Sequence, residues 1–264
     1  MERTMCSLSK SQAAFVCVRR KIQCDKINSD FLRFSNMTKS IFEVKIIGHI
    51  RTDFQGKFGV PRQSGIVETL EGRIEFEKEY AQPEAFRGLE GFSHLWIIWQ
   101  FSEAVREKWS ATVRPPRLGG NTRVGVFATR SPFRPNAIGL SSVRIKKIDL
   151  NTPKGPVIYV SGADLMDGTP ILDIKPYLAY ADSHPDAVDG FAGQIGCTKL
   201  KVVFPEALLK QIPEEKREAL LGVLEENPVP HYQKDAERIY GFGFAGREVR
   251  FRIADNELTV VEVE

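Results

Sequence analysis

From residue 41 to about 205 the chain consists of short apolar runs cut apart by glycine and proline, without regular helical segments between them. Such a pattern suits antiparallel β architecture and excludes a parallel sheet with helical crossovers. The strand-like runs are Glu43 to Arg51, Arg73 to Glu77, His94 to Phe101, Arg123 to Thr129, Ile138 to Asp149, Val157 to Ser161 and Leu172 to Lys175. Arg73-Ile74-Glu75-Phe76 and Val143-Arg144-Ile145-Lys146 alternate apolar and polar residues, as half-buried strands do. His94-Leu-Trp-Ile-Ile-Trp-Gln-Phe101 is apolar on both faces and reads as a central strand. The expectation is an all-β barrel or sandwich.

After residue 205 the pattern changes. Glu206 to Gln211 and Pro213 to Glu226 read as helix, with Pro213 in the first turn, acids after it, and Leu220, Leu221 and Leu224 forming an apolar stripe. Asn227-Pro228 ends that helix, and strands are expected over Ile239 to Phe244, Glu248 to Ile253 and Leu258 to Val263. This is a small α+β subdomain, placed at 191–264 behind a barrel domain at 41–190. Gly241-Phe-Gly243-Phe-Ala-Gly246 matches a dinucleotide-binding spacing, but that fingerprint must open a helix and here an alternating strand follows. It reads as a hairpin turn. Residues 1–40 lack clean periodicity, and Met37 is an alternative start.

Lys and Arg number 37 against 34 Asp and Glu, a balance that selects no partner. Their distribution does. Arg106, Lys108, Arg114, Arg117, Arg123, Arg130, Arg134, Arg144, Lys146 and Lys147 accumulate in one stretch whose only acid is Glu107. Such a segment attracts polyanions through its field and through counterion release, although a solvated basic face has the same composition. The four cysteines form no Cys-x-x-Cys pair and the four histidines are scattered, so no metal site is expected. No apolar run approaches the ~18 residues of a membrane helix. The expected compartment is the cytoplasm.

Two segments carry chemistry. Thr129-Arg130-Ser-Pro-Phe-Arg134-Pro-Asn136 holds two arginines in a loop whose prolines fix φ, which suits bidentate binding of carboxylate or phosphate. Arginines tied up in salt bridges would look the same. In Asp164-Leu-Met-Asp167-Gly-Thr-Pro-Ile-Leu-Asp173-Ile-Lys175-Pro-Tyr177, the last three named residues are two apart and project from one face of an extended segment. A carboxylate, a cation and a phenol on one face can support proton transfer, and a surface ion pair is the plainer alternative.

Five pieces in order resemble the tRNA-methyltransferase O family: Gly59-Val-Pro61-Arg62-Gln63, Phe92-Ser-His94-Leu-Trp96, Arg114-Pro-Pro-Arg117-Leu-Gly-Gly-Asn121, Gly125 to Asn136, and Asp167-Gly-Thr-Pro-Ile-Leu-Asp173-Ile-Lys-Pro-Tyr177. The resemblance spans about 41–190, and more loosely Asn227-Pro228-Val-Pro-His231-Tyr232. It implies a single-sheet β-barrel that binds S-adenosylmethionine, unlike the Rossmann methyltransferases, and a homodimer with active sites near the subunit interface. It also implies methylation of N6 of threonylcarbamoyladenosine beside the anticodon of tRNA. Cofactor positions implied by the match are Pro61, Arg62, Gln63, Ser102, Glu103, Arg130, Leu140, Leu165, Asp167, Gly168 and Thr169, with Arg130 or Arg62 expected on the donor's carboxylate. Asp173 is expected to serve as the base or its orienter, with Lys175 and Tyr177 stabilising charge or holding substrate. Arg114, Arg117, Arg123, Arg134 and Arg144 are expected along tRNA phosphates and Phe133 on a loop base, with further contacts from His231, Tyr232, Lys234, Arg247, Arg250 and Arg252. Two other functions stay open at this point: an RNA-binding barrel without chemistry, and a methyltransferase with another acceptor.

Overall fold

The computed structural model describes residues 42–103, 108–193, 199–229, 235 and 237–264, apart from the side chain of Arg117. Expectations for residues 1–40, Arg106, His231, Tyr232, Lys234 and the Arg117 side chain fall outside that set. Lys45–Glu264 form one compact unit.

Six strands close into an antiparallel barrel. In chain order they are β1 (Gly48–Arg51), β2 (Glu71–Phe76), β3 (His94–Gln100), β6 (Ile138–Asp149), β7 (Val157–Ser161) and β8 (Thr169–Pro176), and around the barrel the order is β1-β2-β7-β6-β3-β8. A two-stranded ribbon, β4 (Thr112–Val113) with β5 (Val124–Gly125), lies between β3 and β6 in sequence. Alternation along the strands fills the interior: Ile50, Ile74, Leu95, Ile97, Ile158, Val160 and Ile171 are all buried. Strand β3 is less two-sided than its sequence suggests. Leu95, Ile97 and Trp99 point inward, whereas His94, Trp96 and Ile98 are half-buried on the outer surface. The outer surface is covered there by the segment around Tyr177, whose ring packs 5.5 Å from that of Trp96.

The run Arg123 to Thr129 is not one strand. After two residues of β5, a 3-10 turn over Val126–Ala128 follows. The Thr129 hydroxyl closes it by donating to the Val126 carbonyl at 2.8 Å, a local bond that competes with the ladder.

Beyond the barrel lies a four-stranded sheet in the order β10-β11-β12-β9, built from β9 (Lys201–Val203), β10 (Tyr240–Phe244), β11 (Arg247–Ala254) and β12 (Glu257–Val263). Ala245 (φ 51°) and Gly246 (φ 75°) form the two-residue turn between β10 and β11, so the Gly-x-Gly-x-x-Gly spacing marks a hairpin. Strand β9, paired parallel to β12, has no sequence signature because three residues are too few for a period. The helices are α1 (Ala179–Asp182), α2 (Glu206–Leu209) and α3 (Glu214–Glu225). Helix α3 buries Ala219, Leu220, Val223 and Leu224, so its stripe is centred one position away from Leu221. Asn227, at φ 53°, ends it.

The second hydrophobic core combines this sheet and helix with Phe54, Val67 and Leu70, against which Phe58, Val60 and Ile66 also pack. The apolar side chains of the long connection from β1 to β2 are thus packed in the C-terminal core.

Candidate active site

A cavity of about 830 Å³ opens beside the barrel, walled by four segments and by Pro116 of the β4–β5 connection. The β1–β2 connection supplies Pro61, Arg62 and Gln63, and the end of β3 supplies Trp99, Phe101, Ser102 and Glu103. Arg130, Arg134, Asn136, Ile138 and Leu140 come from the loop and start of β6, and Asp164, Leu165, Met166 and Thr169 from the turn before β8. This volume falls within the range of about 300–1,000 Å³ usual for small-molecule sites. Nine of the cofactor positions implied by the family resemblance meet here: Pro61, Arg62, Gln63, Ser102, Glu103, Arg130, Leu140, Leu165 and Thr169.

Local bonds fix the arginine loop. The Ser131 amide donates to Thr129 Oγ1 at 3.2 Å, and the Phe133 amide to Ser131 Oγ at 3.3 Å. Ser110 N donates to the Phe133 carbonyl at 3.0 Å, and Arg134 to the Thr129 carbonyl at 3.0 Å. Arg130 donates to Gln63 Oε1, which joins the loop to the opposite wall. The guanidinium is therefore aimed before any ligand arrives, as anion recognition requires.

Below the cavity runs a polar chain that the sequence did not reveal. Trp99 Nε1 donates to Ser141 Oγ at 3.0 Å, and Ser141 Oγ donates to Asp164 Oδ1 at 2.6 Å. Ser141 is 1% exposed. Gly139 leaves the space that the Trp99 indole occupies, because a Cβ there would run into the ring. Burial pushes the Asp164 carboxyl above the usual carboxylate range, opposed by the Ser141 hydrogen bond and by the Arg130 charge. The only sequence clue to this chain was the recurrence of carboxylates from Asp164 onward, which does not distinguish a buried acid from a surface one.

Several expected residues sit elsewhere. Asp167 accepts from the Thr52 amide at 3.1 Å and faces Arg51 at 3.5 Å, bracing the turn without lining the cavity. Gly168, at φ 76°, forms that turn and donates to the Ile50 carbonyl at 2.8 Å. Asp173 and Lys175 pair at 2.8 Å on the outside of the barrel, with side chains 47% and 62% exposed. Tyr177 packs against His94 and Trp96 on the same surface. A bulge in β8, where the register with β3 shifts between Ile98 and Trp99, sends Asp173 outward although Ile171 points in. None of the three lines the cavity.

The arginines expected along tRNA divide in the same way. Arg134 is half-buried and lines the cavity, whereas Arg114, Arg123 and Arg144 are exposed, and Arg123 donates to Thr112 Oγ1 at 2.9 Å. Phe133 is half-buried within its loop. In the tail, Arg250 is committed to Glu262 at 2.7 Å and Glu264 at 3.3 Å, while Arg247 and Arg252 are exposed.

Comparison with known proteins gives this arrangement a family. The tRNA-methyltransferase O N-terminal domain matches residues 49–183, and the TrmO C-terminal domain matches 197–264. A tRNA (adenine(37)-N6)-methyltransferase of Escherichia coli K12 is 43% identical over 234 residues, covering 85% of this chain and 99% of its own. A Pseudomonas aeruginosa relative whose name places it among S-adenosylmethionine-dependent methyltransferases is 40% identical over 206 residues, 75% of this chain and 87% of its own. A crystal structure of TrmO superposes with a TM-score of 0.69 at 33% identity, covering 84% of this chain and 99% of that one. The chain belongs to the tRNA-methyltransferase O family, with both the barrel and the C-terminal domain of that family present.

Proposed function

We propose that this protein transfers a methyl group from S-adenosylmethionine to N6 of the adenine at position 37 of tRNA, and that its acceptor is the threonylcarbamoyl form of that base. The observation that carries the reading is the cavity itself, where a pre-aimed Arg130, a half-buried Asp164 and an apolar wall of Trp99, Ile138, Leu140 and Leu165 converge. These residues fit the donor. Arg130 suits its carboxylate, Asp164 its hydroxyls or ammonium, and the apolar wall its uncharged parts. When bound, the donor supplies an electrophilic methyl carried by a sulfonium.

The protein's work is orientation. Methyl transfer is an in-line displacement, so rate comes from holding the acceptor nitrogen at the right distance and angle. Arg130 and Gln63 join two walls of the cavity, and the Trp99–Ser141–Asp164 chain fixes the barrel side of it. The lone pair on a urea-substituted N6 is delocalised, so a base must take its proton. Asp173 is assigned to that role, assisted by Lys175 and Tyr177.

Because those three lie outside the cavity of their own chain, the assignment requires a second protomer. In a homodimer, the outer surface bearing Asp173 from one subunit faces the cavity of the other. Mixing Arg130→Ala protomers with Asp173→Asn protomers tests the arrangement. Regained activity in the mixture supports a shared site, and a mixture no better than its parts rejects it.

The function is tested by incubating the protein with S-adenosylmethionine and tRNA, either carrying or lacking threonylcarbamoyladenosine, followed by nucleoside mass spectrometry. The expected result is one added methyl on the threonylcarbamoyl nucleoside only. A methyl on unmodified adenosine, or none at all, overturns the assignment.

A further inference from the structure

Two of the most exposed aromatic rings near the cavity belong to residues that neither the mechanism nor the barrel core uses. Trp109 is 52% exposed and Phe127 is 72% exposed. Their ring centroids lie 6.4 Å apart and their planes differ by only 21°. Exposing two large rings to water is unfavourable, and two apolar rings free to choose would turn inward or collapse on the core.

The backbone holds them there. Ser110 N donates to the Phe133 carbonyl at 3.0 Å and its hydroxyl to the Thr112 carbonyl at 2.6 Å, which fixes the chain next to Trp109. Val126 N donates to the Ala111 carbonyl at 3.0 Å, and the 3-10 turn over Val126–Ala128 presents Phe127. Phe127 lies two residues before Thr129, which lines the cavity, so the aromatic pair stands next to the cavity's arginine wall. No acid occurs between Lys108 and Arg134 in the chain, and Lys108, Arg114 and Arg123 are exposed.

Parallel exposed rings within a positive field match the chemistry of an unpaired nucleobase, whose flat face stacks on the ring while its phosphate meets the cations. We infer that Trp109 and Phe127 form a stacking platform for an unpaired base of the RNA loop that delivers the acceptor adenine. The platform rests on the tRNA reading above. It adds to the contact expected of Phe133, a ring less exposed than either of these two. By holding a neighbouring base, the pair keeps the loop splayed while one purine enters the cavity.

The test compares wild type with Trp109→Ala, Phe127→Ala and Trp109→Phe in binding to an RNA hairpin with the anticodon-loop sequence and to a fully paired duplex of the same stem. S-adenosylmethionine affinity and sedimentation are measured alongside. Each alanine variant is expected to bind the hairpin roughly 5- to 100-fold more weakly. Duplex binding, donor affinity and sedimentation stay unchanged, and Trp109→Phe retains most of the affinity. Equal losses on hairpin and duplex overturn the platform, as does unaltered hairpin binding by both alanine variants. A change in sedimentation that tracks the loss shows a contact between subunits and overturns it too. Wild type that binds no RNA removes the tRNA reading and the platform together, whereas wild-type binding with unaffected variants removes the platform alone.

Discussion

Ser141 Oγ donates to Asp164 Oδ1 at 2.6 Å while accepting from Trp99 Nε1, so one hydroxyl ties the barrel wall to a half-buried acid of the cavity lining. Burial raises the carboxyl above its ordinary range. The sign follows from proton linkage. A carboxyl raised in the folded state holds its proton longer folded than unfolded, so it lowers stability as pH rises from the ordinary carboxylate range through the raised value. Asp164→Asn keeps an oxygen to accept from Ser141 and carries no charge. Thermal unfolding should show the variant gaining on wild type across that window, by an amount on the order of a few degrees at its upper end. A difference that stays flat with pH counts against a buried charge.

Gly59 sets the β1–β2 connection against β10. It sits at φ 92°, and a Cβ there would collide with the ring of Phe242 from β10. Gly59→Ala should therefore lower stability by about 1–3 kcal/mol. It should also weaken S-adenosylmethionine binding, because Pro61, Arg62 and Gln63 follow directly on that turn. Calorimetric titration of the refolded variant checks the second effect. Undiminished donor affinity means that the loop is positioned by the barrel alone.

The ion pair between Lys216 Nζ on helix α3 and Asp53 Oδ2 on the β1–β2 connection, 2.8 Å long, joins the same two parts. Both side chains are about four-fifths buried, at 22% and 17% exposure. Lys216→Met leaves the carboxylate without its cation, which costs about 3–5 kcal/mol for a fully buried pair and less here. A double variant with Asp53→Leu should recover part of the loss. Urea unfolding of wild type, Lys216→Met, Asp53→Leu and the double variant decides it, and a double-variant loss equal to the sum of the two single losses rules out coupling through this pair.

Asp173→Asn keeps the shape of the β8 bulge and removes the partner that raises the Lys175 ammonium above its usual range. Since Asp173 is outside the cavity, donor affinity should hold while turnover on saturating tRNA falls by about 100-fold or more. Single-turnover methyl transfer measures it. Near-normal turnover would remove Asp173 as the base.

Raising salt from low to physiological levels should weaken tRNA binding steeply and donor binding little, because phosphate contacts release counterions and a cavity-bound zwitterion does not. Filter binding at several salt concentrations checks this. Equal slopes would mean that the exposed arginines do not follow phosphates.

Alternation and punctuation alone located β6 and β7 with the bounds seen in the structure, and the hairpin nature of the Gly241–Gly246 spacing was readable from the strand that follows it. Both rest on local periodicity, which neighbouring residues determine by themselves. The run Arg123 to Thr129 was misread because its apolar content looked extended while a single threonine hydroxyl folded it into a turn. The cavity wall around Arg130 was indicated by proline and arginine in a stiff loop, whose chemistry is carried by residue type, whereas Pro61, Arg62 and Gln63 were indicated only by the family resemblance.

Three things were settled only by the tertiary structure. The direction of Asp173 depends on a bulge, where one extra residue reverses the side-chain alternation that spacing assumes. The Trp99–Ser141–Asp164 chain joins residues 42 and 23 positions apart, and no sequence period relates them. The β1–β2 connection carries cavity residues yet is packed by the C-terminal sheet, a pairing set by which apolar surfaces remain uncovered once the barrel has closed. Sequence determines what repeats locally and what each side chain can do, while long-range closure determines which of them meet, since burial is a property of the whole chain.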